Sequence, residues 1–270
     1  MSVPEDVQAF SRLVLALRDY RKDIVLVGGW AHRLSRLHPL SQGVDFEPLG
    51  SEDADLVLDK TVTPREEDLG DLLRKAGFTQ QFFGEKNPPV MHYRLGQDGA
   101  FYAEFLTPLM GPEKGGTRTI AGVSAQELRH LYILMICPWK VLLKEPEFPV
   151  GGKPVEIQIA NAASYLAQKL LVLDRRTPDD KAKDILYIHD TLLTFGGSLG
   201  KVHELWREEI LPKVIPAAAK SLPGLVRTAF SDVTDPIRRA RGIAVAAGRP
   251  DTEPEHIAQV CKKGLTELFK

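Results

Sequence analysis

The chain has 270 residues, 43% of them hydrophobic and 26% charged, and a net charge of −1. That balance belongs to a folded globular protein and excludes a mainly disordered chain. No apolar run approaches the length of a membrane span, and the start MSVPEDVQAF lacks the basic-then-apolar order of a signal peptide, so no membrane partner is expected and the cytoplasm is the expected compartment.

Residues 4–20 place Val7, Phe10, Leu13, Val14 and Leu17 at helical spacing, with acids at the start and Arg18 near the end, which predicts an amphipathic first helix. The apolar run IVLV ends in Gly28-Gly29 and leads into the amphipathic stretch Trp30–Leu37, a strand, tight turn and helix. Glycines at such a turn let backbone N–H groups approach a phosphate, and a helix start adds partial positive charge. An ordinary strand-to-helix turn fits the same residues, and Trp30 reads as core. The Pro-, Gly- and Ser-rich loop that follows delivers the chain to SEDADLVLD, Ser51–Asp59. His32 and His38, around the start of that loop, read as structural or surface residues, since no second His or Cys stands at ligand spacing.

Asp53 and Asp55 stand two apart in a strand-like run and so share one face. Two parallel carboxylates repel, a cost that one or two Mg²⁺ ions bridging to a nucleotide's phosphates would reverse. A solvated strand face also fits a lone D-x-D.

Residues 64–76 have helical period, and Gly77 stops that helix. Phe78–Phe83 and Val90–Leu95 read as the strands of a hairpin whose turn is 84–89. After the turn GQDG, the strand Phe101–Pro108 puts Glu104 on the face of Tyr102 and Leu106, opposite Phe101, Ala103 and Phe105. A carboxylate in the middle of an apolar strand needs a partner unless that face is exposed. Gly111–Thr119 reads as a mobile loop carrying Lys114 and Arg118, either of which could meet a phosphate. Leu131–Leu143 reads as a buried run broken at Pro138, with Trp139 in the core.

PVEIQIA alternates as a strand, Asn161 caps a helix running to about Asp174, and Pro178 stands near the start of the next. Lys169 falls on the apolar face of the first helix and Asp184 at the edge of an apolar stripe on the second. Opposite charges thus face inward from adjacent helices. Beyond Gly196-Gly197, helices are expected at 199–210, 212–221, 223–231, 235–247 and 254–269. Arg238, Arg239 and Arg241 form a small basic cluster that reads as a solvated face or an RNA contact. Residues 1–109 hold 12 basic and 17 acidic side chains, net −5, and the remainder 23 and 19, net +4, so a nucleic-acid acceptor would lie more comfortably against the second half. The two cysteines, Cys137 and Cys261, suggest neither a disulfide framework nor a zinc site.

Jointly, Gly28-Gly29 at a strand end, a helix, and S-x-D-x-D-L opening a second strand resemble the nucleotidyltransferase superfamily that includes DNA polymerase beta and the antibiotic nucleotidyltransferases. That resemblance implies a glycine turn holding an NTP, Mg²⁺ held by Asp53 and Asp55, and a third acid, Glu104, that completes the metal site or accepts the proton of the attacking hydroxyl. Gly28-Gly29 stands where many members have Gly-Ser. The later pattern, a strand, a helix with inward Lys169, then Lys183-Asp184 on the following helix, looks like the AbiEii and MenT toxin branch. It implies that Lys169 and Asp184 assist triphosphate binding, that the acceptor is the 3′ end of a tRNA, and that an antitoxin is a partner. Leu49-Gly50 stands where an Arg often precedes the Ser-x-Asp.

The expected fold is an α/β (α+β) nucleotidyltransferase core with a mixed sheet over residues 1–150, followed by a mainly helical domain, 151–270, that closes the nucleotide cleft. The expected reaction is transfer of a nucleoside monophosphate from an NTP to a hydroxyl with release of pyrophosphate. A small-molecule nucleotidyltransferase and a non-catalytic nucleotide-binding protein of the same fold are the alternatives.

Overall fold

The computed structural model describes all residues except 1–2, 84–89, 97–99 and 113, so the expected turns at 84–89 and in GQDG lie outside the described residues. The fold is mixed α/β, and among the described residues the chain forms two compact units. The first comprises residues 1–34 and 50–160; the second comprises 35–49 and 161–270.

The first unit begins with α1 (Glu5–Leu17), which buries Val7, Phe10, Leu13, Val14 and Leu17, and continues through a 3-10 turn over Arg18–Lys22. Strand β1 (Ile24–Val27) runs directly into α2 (Gly28–Leu34). There the Trp30 ring stacks on Phe10 with centroids 3.9 Å apart and planes 5° from parallel, so Trp30 is core. β2 (Asp53–Leu58) pairs antiparallel with β1.

Helix α3 (Leu69–Lys75) starts five residues later than the helical period suggests. The cause is local competition for backbone groups. The Tyr20 hydroxyl accepts from Arg65 N at 2.6 Å and donates to Glu67 O at 2.9 Å. Asp68 then caps the helix by accepting from Asp71 N at 2.8 Å.

β3 (Phe78–Phe83) and β4 (Val90–Leu95) pair antiparallel as the hairpin pattern predicts. β5 (Tyr102–Pro108) lies antiparallel to β4 and parallel to β2. Thr117–Thr119 is not a loop but most of β6 (Thr117–Ile120), which turns through Ala121 and Gly122, both at positive φ, into β7 (Val123–Leu128). The glycine-rich lead-in masks a short alternating pattern on either side of Ala121-Gly122.

The Leu131–Leu143 run does break at Pro138. Before it lies α4 (Leu131–Leu134), and after it the edge strand β8 (Trp139–Leu143), where Lys140 and Leu142 alternate outward from the buried Trp139, Val141 and Leu143. β9 (Val155–Ile159) completes the strands. Among the described residues nine strands form one mixed sheet, with β3-β4-β5-β2-β1-β9-β8 in spatial order and the β6–β7 hairpin attached along β5.

The second unit is helical: α5 (Ala162–Val172), α6 (Pro178–Thr194), α7 (Leu199–Leu205), α8 (Pro216–Phe230), α9 (Asp235–Ala246) and α10 (Pro254–Leu268). Asn161 caps α5 by accepting from Ser164 N at 2.8 Å, and Thr177 caps α6 with Pro178 at its first position. The expected break near Pro223 does not occur, and Pro223 sits inside α8. An internal proline costs about 3 kcal/mol. The helix nevertheless buries Ala218, Leu222, Val226 and Phe230 along one stripe while Pro223 faces solvent, and that burial outweighs the lost bond.

Residues 35–49 carry no strand and are tied within this unit by their backbone. Gln42 N donates to Thr194 O at 2.8 Å, Gly197 N donates to the Gln42 side chain at 3.0 Å, and Arg249 donates to Glu47 O at 2.9 Å. Arg249 is itself fixed by two bonds, 2.9 and 2.7 Å, to the fully buried Asp190. No helix among the described residues is long and apolar enough to cross a membrane.

Candidate active site

The acid-bearing face of the sheet is set by strand register. In the parallel pair β2–β5, Asp53 lies opposite Tyr102 and Asp55 opposite Glu104. In the antiparallel pair β4–β5, His92 lies opposite Glu104 and Arg94 opposite Tyr102. Directly opposed residues project to the same face, so Asp53, Asp55, Glu104, Tyr102, His92 and Arg94 form one patch across three adjacent strands. Ser51 orients the first acid, its hydroxyl donating to Asp53 Oδ1 at 2.6 Å.

Two aromatic groups report the charge of this patch. The His92 ring stacks on Tyr102 with centroids 4.0 Å apart, and the Arg94 guanidinium lies 5.3 Å from the Tyr102 ring. Burial first, and then the combined charges of Asp53, Glu104 and Asp55, push the Tyr102 hydroxyl up to about 12, against a smaller opposing effect of Arg94. Three carboxylates therefore act on one phenol. His92 is held below its ordinary value mainly by burial, with Arg94 adding to the effect and Asp53 opposing it.

The glycine turn meets these acids at the second metal-ligand candidate. Val27 pairs with Asp55, so Gly28 follows immediately beside that carboxylate. Gly28 has φ +63°, and a Cβ placed on it would lie 2.0 Å from Asp55 Oδ2. Only glycine fits both the conformation and the space. Gly28→Ala is expected to lower stability by about 1–2 kcal/mol through left-handed strain and to lower turnover about tenfold by displacing Asp55. Denaturant midpoints and initial rates measured on the same preparation check both effects. Gly29, the next residue, is buried in α2.

Whether these residues fit Mg²⁺ turns on their donor chemistry. Among the described residues no group of three or more His, Cys, Asp or Glu is placed to hold a metal ion. Mg²⁺, however, is usually held by one or two carboxylates, with substrate phosphates and water supplying the other oxygens. Asp53 and Asp55, on one face and both felt by Tyr102, meet that description.

Lys169 and Asp184 are brought together within the second unit. Lys169 Nζ lies 2.5 Å from Asp184 Oδ1, and Arg176 Nε donates to Asp184 Oδ2 at 3.0 Å. Both members of the pair are buried, and the ammonium stands 5.5 Å and 5.1 Å from the rings of Tyr165 and Tyr187. The inward lysine thus has the anionic partner its position demands.

Other residues singled out in the sequence have local partners. Arg118 bonds Glu127 at 3.3 Å, and Arg239 bonds Asp235 at 2.8 Å and Asp179 at 3.2 Å. His32 is buried, and His38 is held below its ordinary value by burial. No motif singles out His92 and Arg94, which strand pairing adds to this face. The signal for them was the period-two alternation of VMHYRL, which places both on one face of a strand that pairs with the Glu104 strand.

The sequence matches a family described as Nucleotidyltransferase over residues 6–206. Among solved structures, the chain is similar to the crystal structure of an antigenic nucleotidyltransferase-like protein from Paracoccidioides brasiliensis, at 14% identity over 92% of this chain and 91% of that one, with a TM-score of 0.38. No curated protein matches the chain.

Proposed function

Because the chain belongs to the nucleotidyltransferase family, we propose that it transfers a nucleoside monophosphate from an NTP to a hydroxyl acceptor and releases pyrophosphate. The observation that carries this reading is the shared face of Asp53, Asp55 and Glu104, with the Gly28 backbone beside Asp55. In the proposed step the acceptor oxygen forms a bond to the α-phosphorus, the bond from that phosphorus to the bridging oxygen breaks, and pyrophosphate carries away the electron pair.

Asp53 and Asp55 would hold Mg²⁺, and Ser51 keeps the Asp53 carboxylate in place. When bound, the ion supplies neutralisation of the charge spread over the phosphate oxygens. Glu104 accepts the acceptor's proton, or completes the metal-binding set once the phosphates are present. The backbone at Gly28-Gly29 holds the triphosphate. Catalysis is then mostly positioning and charge stabilisation.

The finer reading is a toxin of the AbiEii and MenT kind that acts on the 3′ end of tRNA and has a cognate antitoxin. It rests on the sequence pattern around Lys169 and Asp184 and on the Gly-Gly and S-x-D-x-D motifs. Incubation with each labelled NTP, Mg²⁺ and total tRNA, resolved on a gel, tests it: label should move to tRNA for at least one NTP. Transfer only to a small molecule would favour the antibiotic-modifying type, and no transfer at all would leave a nucleotide-binding protein.

Glu104 gives a readout independent of turnover. Mg²⁺ at 100 times its dissociation constant stabilises a protein by about 2.7 kcal/mol, several degrees of melting temperature in a chain of this size. Glu104→Gln should raise the metal-free melting temperature by relieving repulsion and should shrink the Mg²⁺ shift. An unchanged shift with full activity would remove Glu104 from the site.

A further inference from the structure

A groove of about 510 Å³ lies in the first unit, between the 3-10 turn that follows α1 and the edge pair β8–β9. It is at the opposite end of β1 from Gly28, since the turn precedes Ile24. Four residues of strand separate the two ends, about 13 Å. Its walls carry Arg18, Arg21, Lys22, Lys140 and Lys153 against two acids, Asp19 and Glu156. Lys140 is paired with Glu156 at 2.9 Å, and Arg18 with Glu67 at 2.8 Å. Arg21, Lys22 and Lys153 complete the excess. The walls are fixed to each other, because the Gln158 amide on β9 donates to Lys22 O at 2.7 Å.

The chemistry of this lining is specific in what it omits. Among the described residues that line the groove none is aromatic, so they offer no stacking platform for a nucleobase, whereas long cationic side chains along a fixed concave wall suit a run of phosphates. Residues 1–34 and 50–160, the unit that holds the groove, carry 17 basic and 20 acidic side chains, so a basic groove here is a local reversal of the surrounding charge. We propose that this groove binds the phosphodiester backbone of a nucleic-acid acceptor, away from the nucleotide-binding turn. The proposal rests on the nucleic-acid form of the reaction proposed above and assigns the acceptor's backbone to the first unit of the chain.

The test is binding of total tRNA by fluorescence anisotropy between about 50 and 200 mM salt, where backbone contacts dominate the salt slope. Lys22→Gln with Lys153→Gln should lower the slope of log affinity against log salt by about 2. Affinity should fall about tenfold or more at about 0.1 M salt, with the melting temperature unchanged. Lys262→Gln with Lys263→Gln, an equal change of charge on α10, should leave both slope and affinity as in the wild type.

Equal losses in the two double variants would mean a general charge effect and would overturn the groove. So would wild-type binding by the Lys22 and Lys153 variant, or a groove that takes tripolyphosphate in titration while tRNA binding is untouched by the substitutions. The reaction itself is read separately, by transfer of label. Intact, groove-dependent tRNA binding without any transfer would sink the proposed reaction and leave the groove standing.

Discussion

Asp53→Asn and Asp55→Asn should each lower nucleotidyl transfer by about 100- to 1,000-fold, the range seen when one charge-stabilising group is removed from a preorganised site. The amide keeps the shape of the carboxylate but halves its value as a metal ligand and removes its charge. Asp55 is the sharper case, since its Oδ2 also fills the space that Gly28 leaves open. Both variants should remain folded, with melting temperatures at or above the wild type, because each removes like-charge repulsion from the patch around Tyr102. Initial rates with saturating NTP and Mg²⁺, alongside a thermal melt, check the pair of outcomes. Either variant turning over near the wild-type rate would end the assignment of that residue to the metal.

Asp184→Ala should lower stability by about 3–5 kcal/mol, because it leaves the Lys169 ammonium buried without its carboxylate. In a chain of this length that corresponds to a fall in melting temperature of roughly 6–15 °C. Replacing Lys169 as well, in Lys169→Met with Asp184→Leu, should recover much of the loss, since a buried pair is often no better than well-packed apolar side chains. Nucleotide titration of Lys169→Ala separates structure from function. If Lys169 also meets triphosphate oxygens, NTP affinity falls in excess of what partial unfolding explains. Equal affinity in folded mutant and wild type would make the pair purely architectural.

The acid face was legible because strand period is two and nothing else is needed to put Asp53 with Asp55, or Glu104 with Tyr102, on one side. What sequence could not supply was the neighbour relation of strands far apart in the chain, and with it the meeting of His92 and Glu104. The same limit hid the pairing of Arg249 with Asp190, separated by 59 residues. The Asn161 cap and the helix start at Pro178 were local and readable. The start of α3 was not, because Tyr20 takes hydrogen-bonding groups of Arg65 and Glu67 that a helix would have used. Pro223 follows the same rule: its local penalty argues for a break, and the buried stripe that offsets it depends on the rest of the fold.

Residues 35–49 belong with the helices, yet they lie in the chain between the Gly28 turn and the Asp53 strand. That arrangement dictates an order of events during synthesis. The strands that carry the three acids have all been made once residue 160 has emerged, but Glu47 acquires its partner only with Arg249, 202 residues later. A ribosome adding about 5–20 residues per second needs roughly 10–40 s to cover that interval. Gln42 of the same stretch gains Thr194 and Gly197 earlier, so the Glu47 tie is the last of the three to form. A chain cut short before Arg249 would keep every acid, the glycine turn and the Gln42 ties, and would still lack the Glu47 tie nearest the acid-bearing strand.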